Sequence, residues 1–457
     1  MTPARREARV LTRLATPVAL TQVSAMLLWT VDFVMVGRIG VEAINAVSLG
    51  RLWVMGTSMI AIGLLWGIDP IATQAHGARD RERLGDVLLH GSTLALVATV
   101  PLALAWLATE PVLLAFGQDP ATVAVAARYV AVQIPALPCL LLFMMLRQYL
   151  QARGIVRPAM SIGFGSIVFN AAANAVLIFG LFGAPRLGAV GAGVATALTE
   201  AAMLIALVVA VRRHRLQRGA RTVLDPRRVS LRRLAEIAAF GAPVALQVAL
   251  EYWAFAISSL WAGHLGPTAL AAHSIVLNLA SIAFMVPLGV SSAATTRVGN
   301  RIGAGDPAGA RRAAWVALAL GGGTMLGFAL LFVVARGVIP PLFTVDAAVI
   351  AATAATLPVV AAFELFDGLQ VVGGGILRGM GRVRPAAIAN LVGYYALGLP
   401  LGWLLGRPDR LGLAGIWWGL ALGLFVVAVT LVLWIRWRGP ETVPALVSRP
   451  RRATELA

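Results

Sequence analysis

Apolar runs of roughly 20 residues recur from one end of this chain to the other, and each is long enough to cross a bilayer as a helix. In hydrocarbon, every backbone N–H and C=O must be satisfied inside the segment or in a closed barrel, so runs of this length fold as helices. The composition agrees: 59% of the 457 residues are hydrophobic and 13% are charged, which excludes an ordinary soluble domain. Length alone would allow about three soluble domains, but the hydropathy reduces them to one polytopic membrane unit. The expected spans lie near residues 14–37, 46–69, 87–108, 123–146, 159–181, 188–210, 238–262, 270–295, 314–335, 350–374, 386–406 and 412–435.

The formal net charge is +18, and every basic residue is arginine. The arginines form no single patch, which argues against a nucleic-acid partner. They gather on alternate connections between the apolar runs: Arg79, Arg81 and Arg83; Arg147, Arg153 and Arg157; Arg212 through Arg233; Arg297, Arg301, Arg311 and Arg312; Arg378, Arg382 and Arg384; Arg436 and Arg438. The remaining connections carry single arginines (Arg38, Arg186, Arg336) or mix arginine with acid, as at Arg407, Asp409 and Arg410. Positive residues stay on the cytoplasmic side, so both termini are expected there, and twelve spans satisfy that condition. The loop from Arg212 to Arg233 holds nine arginines and one proline. It reads as a solvated linker near the headgroups that can also touch anionic lipid. Cys139 is the single cysteine and lies in an apolar run, so no intrachain disulfide is possible. The charged start MTPARREARV precedes an apolar run that is too long, and too poor in small-residue cleavage sites, for a cleavable signal peptide.

The two halves repeat each other. TPVAL at 16–20 matches APVAL at 242–246, VGRIG at 36–40 matches AGHLG at 262–266, and HGARD at 76–80 matches IGAGD at 302–306, all 226 residues apart. ARGIVRPA at 152–159 matches GMGRVRPA at 379–386, and LGAVG at 187–191 matches LGLAG at 411–415. Six spans per half give both halves the same orientation, so the repeat is parallel, as in some secondary transporters. The expected fold is all-α and polytopic, with twelve transmembrane helices in two pseudo-symmetric six-helix bundles. The expected divisions are an N-terminal lobe over 1–215, an Arg-rich linker over 216–235, a C-terminal lobe over 236–440 and a tail over 441–457. A substrate cavity is expected between the bundles. The embedded acids break the repeat: Asp32 has Ser258 as its counterpart, Glu251 has Ala25 and Asp367 has Leu140. Each bundle is therefore expected to have its own task.

An ionised carboxylate at the bilayer centre costs about 2.5–3.5 kcal/mol even on the mildest scale, so such residues face a cavity or a partner. Asp32 lies mid-span in LLWTVDFVMVG, and Asn170 and Asn174 share one helix face in FNAAANAVLIFG. A carboxylate with two amides suits a proton or a small hard cation, while the asparagines equally fit helix–helix hydrogen bonding. In the second half, Glu251 lies in ALQVALEYWAFAIS and Asp367 in FELFDGLQVVGGG, with Glu364 and Gln370 three residues to either side on its face. Acids at one depth repel if all are ionised, so one must hold a proton or a cation must sit among them. Glu364 could instead be solvated at a cavity mouth. Asp69 and Glu200 read as structural, and His273 as a hydrogen-bonded core residue that could titrate. Tyr252, Trp253, Trp66 and Met144 could line a drug cavity or simply pack. The glycines, including GGG at 373–375, fit close helix packing. No phosphate-binding P-loop is present, so energy is expected from an ion gradient.

Over residues 8–435 the sequence resembles the multidrug and toxic compound extrusion (MATE) family, in its bacterial norfloxacin-efflux branch. The strings that carry the resemblance are TVDFVMVGRIG, NAAANAVLIFG, LGAVGAGVATA, ALAAHSIVLN, FDGLQVVGGGILRGMGRVRP and YYALGLPLGW. Asp32, Glu251 and Asp367 match the acids of spans one, seven and ten that mark this branch. The resemblance implies export of organic cations and amphipathic drugs against inward Na⁺ or H⁺, by alternation between outward-open and inward-open V shapes. It implies a cation site at Glu251 and Asp367 in the C-terminal lobe, and a second site at Asp32, Asn170 and Asn174. Phe363 and Ser274 depart from the family pattern, which often has Tyr and Gln there, and this weakens Na⁺ coupling more than it weakens transport. The expectation is a monomeric, multi-pass antiporter of the bacterial inner membrane. It is not an enzyme, it has no cofactor beyond the transported ion, and its partners are drugs, the ion and lipid. The alternative is a lipid-linked oligosaccharide flippase of the same superfamily, which the helix-end placement of the arginines opposes. A membrane-bound transferase would need an Asp-rich metal motif or a His–Asp pair at a membrane face, and neither is present.

Overall fold

The computed structural model describes residues 2–216 and 225–447. The middle of the Arg-rich linker, with Arg218 and Arg221, and the end of the tail lie outside the described residues. Among the described residues, twelve helices are long and apolar enough to cross a membrane. They are α1 (Pro3–Gly37), α2 (Val41–Ala78), α3 (Arg81–Leu107), α4 (Pro120–Ala152), α5 (Arg157–Phe179), α6 (Ala189–Arg213), α7 (Leu231–His264), α8 (Pro267–Gly303), α9 (Pro307–Val334), α10 (Ala347–Gly379), α11 (Val383–Leu405) and α12 (Gly412–Trp437). No strand occurs among the described residues. The protein is thus an all-α, multi-pass membrane protein. Several helices outrun the apolar stretches that betray them. At the start of α1, Arg5, Arg6 and Arg9 are exposed while Glu7 and Leu11 on the other face are buried, a polar pattern that hydropathy does not register.

Local chemistry sets the helix ends. Asp119 accepts from the Thr122 N–H at 2.9 Å just ahead of Pro120, and Asp306 accepts from the Gly309 N–H at 2.8 Å just ahead of Pro307. Both are side-chain caps on N–H groups that the first helical turn leaves unpaired. Gly180 closes α5 with φ +75°, a left-handed conformation that glycine adopts without a Cβ penalty. α11 is unusual: its middle, Leu391–Gly398, is a π-helix, and Pro400 follows with no N–H to give to the turn before it.

The chain forms two compact units. One comprises residues 1–19, 69–80 and 246–457, and the other residues 20–68 and 81–245. The boundaries fall inside continuous helices, at repeat-equivalent points of α1 and α7 just after Pro17 and Pro243. In the first unit, Gly289 of α8 sits so close to Ala15 and Ala19 of α1 that a Cβ there would lie 2.8 Å from each helix contact. In the second, Gly63 of α2 meets the Ala245 backbone of α7 in the same way. Gly63 and Gly289 lie 226 residues apart, the offset of the repeat. Ion pairs hold the same helix starts. Glu7, 3% exposed, pairs with Arg297 and Arg301, while Glu236 pairs with Arg83 at 2.5 Å.

Candidate functional site

In the second unit α1, α5 and α6 bring a polar chain into an apolar interior. Asp32 Oδ1 accepts from Asn174 Nδ2 at 2.5 Å, and Asp32 Oδ2 accepts from Thr196 Oγ1 at 3.2 Å. Asn174 Nδ2 also donates to Asn170 Oδ1 at 3.0 Å, and Asn170 Nδ2 reaches Thr199 Oγ1 at 3.4 Å. Asn170 and Asn174 are fully buried. Arg51, stacked 3.8 Å over the Trp29 ring, lies near enough for its charge to act on Asp32. The expected trio of Asp32, Asn170 and Asn174 is therefore one hydrogen-bonded cluster. Thr196 and Thr199 were not expected in it. Both also bond the carbonyl one turn back, Ala192 and Ala195, so in sequence they look like self-satisfied helix residues.

In the first unit α7, α10 and α11 build the other cluster. Glu251 lies near Gln370 and near enough to Asp367 for charge on one acid to act on the other. Glu364, one turn before Asp367, is fully buried, and neither of its carboxylate oxygens has a hydrogen-bond partner among the described residues. It is not solvated at a mouth. Gln370 Nε2 donates to Asn390 Oδ1 at 3.3 Å. Gln370 Oε1, Asn390 Nδ2 and the Tyr394 hydroxyl are buried without partners among the described residues. Tyr395 donates to the Leu250 carbonyl at 3.1 Å and so ties α11 to the residue before Glu251. Asn390 and Tyr394 were not expected here. They come from the next span, and helix rotation between spans leaves no local mark in sequence.

The other candidates fall elsewhere. Fully buried His273 shares a hydrogen bond with Ser259 at 3.0 Å and lies 5.6 Å from the Trp417 ring. Asp69 pairs with Arg378 at 3.7 Å. Glu200 Oε2 is buried without a partner among the described residues. Phe363 packs edge-on against Phe255 and Trp417, so no hydroxyl comes from its position. Ser274 turns its hydroxyl back to the Leu270 carbonyl at 2.9 Å. Tyr252 and Trp253 meet edge to face at 5.8 Å, and Trp253 is 42% exposed. Among the described residues no three His, Cys, Asp or Glu side chains are placed to hold a metal ion together. A cation at Glu251 and Asp367 would therefore draw on neutral oxygens as well.

Twelve apolar helices among the described residues, in two repeated halves that each hold a buried acid, define a multi-pass membrane protein with the repeated architecture of a transporter. The MatE family model matches residues 17–176 and again residues 243–404, and the chain belongs to the MatE family of multidrug and toxic compound extrusion transporters. The two matches begin 226 residues apart, so the family model finds the same repeat. The multidrug resistance protein NorM of Burkholderia vietnamiensis is 35% identical over 96% of this chain and 95% of its own length. A probable multidrug resistance protein NorM of Rhodopseudomonas palustris is 38% identical over 92% of this chain and 89% of its own. The crystal structure of the eukaryotic MATE transporter AtDTX14 superposes with a TM-score of 0.86 at 26% identity, covering 96% of this chain and 98% of that one.

Proposed function

We propose that this protein is a secondary active multidrug antiporter, exporting organic cations and amphipathic drugs in exchange for inward Na⁺ or H⁺. The observation that carries the reading is the pair of buried acid clusters, one in each compact unit, with Glu364 of the first unit lacking a donor among the described residues. Full-length similarity to proteins named for multidrug resistance supports the substrate class. Glu251, Asp367 and Glu364 form the coupling site of the C-terminal lobe, and Asp32 with Asn170 and Asn174 that of the N-terminal lobe. The repeats at 1–215 and 236–440 act as the two lobes, joined by the linker at 216–235, in a bacterial inner membrane with both termini and the tail at 441–457 cytoplasmic.

The mechanism is exchange. A cation that neutralises the acids lowers the cost of burying them, and drug leaves from the state so favoured. A ligand shifts a conformational equilibrium only by its difference in affinity for the two states. The acids supply that difference if their surroundings are wetter in one state than in the other. Flipping of lipid-linked oligosaccharide is not favoured, because the relatives are multidrug resistance proteins. The test is efflux of a fluorescent organic cation from proteoliposomes, with Na⁺ and pH gradients imposed separately. One of the two gradients should drive efflux in the native protein and so name the coupling ion, and Glu251→Gln with Asp367→Asn should reduce that efflux at least tenfold. Gradient-driven efflux that survives both substitutions would refute the coupling role.

A further inference from the structure

We infer that His90 of α3 is a proton-operated latch. Neutral, it fastens the start of α7 and the linker before it to α3; protonated, it releases them. The latch works alike whichever ion the buried acids couple to.

The hydrogen bonds fix which form of the imidazole the latch needs. His90 is 3% exposed and lies near the Arg-rich start of α3. The Ser230 backbone N–H donates to its Nε2 at 3.1 Å, and its Nδ1 lies 2.7 Å from the Asp86 carbonyl. Both partners are backbone groups of fixed polarity: the amide can only donate and the carbonyl can only accept. Nε2 must therefore present a lone pair and Nδ1 a proton, which is one neutral tautomer. A proton on Nε2 would set N–H against N–H in a nearly dry site. Ser230 also begins α7, since its carbonyl accepts from the Leu234 N–H at 3.1 Å. The N–H groups at a helix start carry partial positive charge, which opposes an imidazolium there a second time.

His90 is one rung of a ladder inside a single compact unit. Arg83, Asp86 and His90 follow one stripe of α3, and Glu236, Arg233 and Ser230 meet them in the opposite chain order. Arg83 pairs with Glu236 at 2.5 Å and Asp86 with Arg233 at 3.9 Å, while Arg233 also reaches Glu236 at 3.4 Å. These rungs join two positive groups to two negative ones, so their charges balance. On the linker, Asp225 and Arg228 face each other at 3.9 Å. From α4, Arg147 is engaged by Gln22 and Arg153 by the Leu216 carbonyl. Around Gly91, the next residue, α2 and α4 present the apolar Ile68 and Met145. Histidine is the side chain whose charge ordinarily changes between about pH 5 and about pH 8, so the His90 rung is the one that a modest change of pH would open.

The test is hydrogen exchange over residues 225–240 of the purified full-length protein at about pH 8 and about pH 5, corrected for the intrinsic exchange rate at each. In the native protein this segment should lose about tenfold in protection in acid, the size expected for one buried hydrogen bond, while α5 should not change. His90→Gln offers Ser230 an amide oxygen that does not titrate, so its protection should be the same at both pH values. His90→Ala has no acceptor and should show the native acid level at both. An acid-induced loss that persists in His90→Gln would overturn the latch, and so would equal protection of the native protein at both pH values. If His90→Ala fails to fold, the native protein and His90→Gln decide between these outcomes without it.

Discussion

At the scale of single residues, the two clusters differ in how their charge is met. Asp32 has a donor on each oxygen, whereas Glu364 has none among the described residues. Asp32 is thus the better suited to remain a carboxylate, and its donors should tune it. Removing one partner of a buried hydrogen bond costs about 1–3 kcal/mol. Thr196→Val is nearly isosteric and removes the one hydroxyl proton that Asp32 Oδ2 shares with the Ala192 carbonyl. It should slow gradient-driven efflux several-fold with little change in thermal stability. Asp32→Asn should abolish efflux while the protein still purifies folded, and parallel transport and thermal-shift assays check both. Unchanged efflux in Asp32→Asn would remove this cluster from the coupling machinery. The asparagines were legible because residues four apart share a helix face, and Glu364 and Gln370 because three-residue spacing does nearly the same. Thr196, Asn390 and Tyr394 were not legible, since they arrive from other spans through packing that no local pattern records.

At the scale of elements, α11 and α12 are joined backbone to backbone. Gly415, Gly419 and Gly423 recur every fourth residue along α12. A Cβ on Gly419 would collide with the backbone of Gly402, and one on Gly423 with the carbonyl of Gly393 and, at 2.8 Å, with Gly398 Cα. Small residues allow this approach, and in lipid such packing replaces the hydrophobic drive between helices. Gly419→Ala should therefore cost about 1–3 kcal/mol, seen as a lower thermal midpoint in detergent. It should also weaken cation binding, because α11 carries Asn390 and Tyr394. A midpoint equal to that of the native protein would mean the helices can part without loss. The close packing of these glycines was foreseeable from their number. The π-helix was not, because a one-residue change of winding leaves the apolar pattern intact.

At the scale of the whole molecule, the repeat governs both architecture and chemistry. The apolar runs marked all twelve helices, and the paired strings marked the duplication, because both follow from the bilayer and from gene-level copying of one six-span unit. Hidden from sequence was the allotment of the first halves of α1 and α7, each grouped with a compact unit built mainly from the other repeat's spans. Glu7 pins one of them through Arg297 and Arg301, whose side chains keep 23% and 30% exposure. Water screens those arginines, so Glu7→Ala should cost about 1–2 kcal/mol rather than the full penalty of a broken buried pair. Thermal unfolding of that variant measures it, and no shift would show that the helix start is held by packing alone.

The central claim is exchange, and linkage requires exchange to run both ways. The most direct measurement therefore imposes only a drug gradient across proteoliposomes and follows Na⁺ and internal pH as the drug moves. The account predicts a cation flux opposite to the drug, lost when Glu251 and Asp367 are neutralised. Drug movement with no opposing flux of either ion would contradict it.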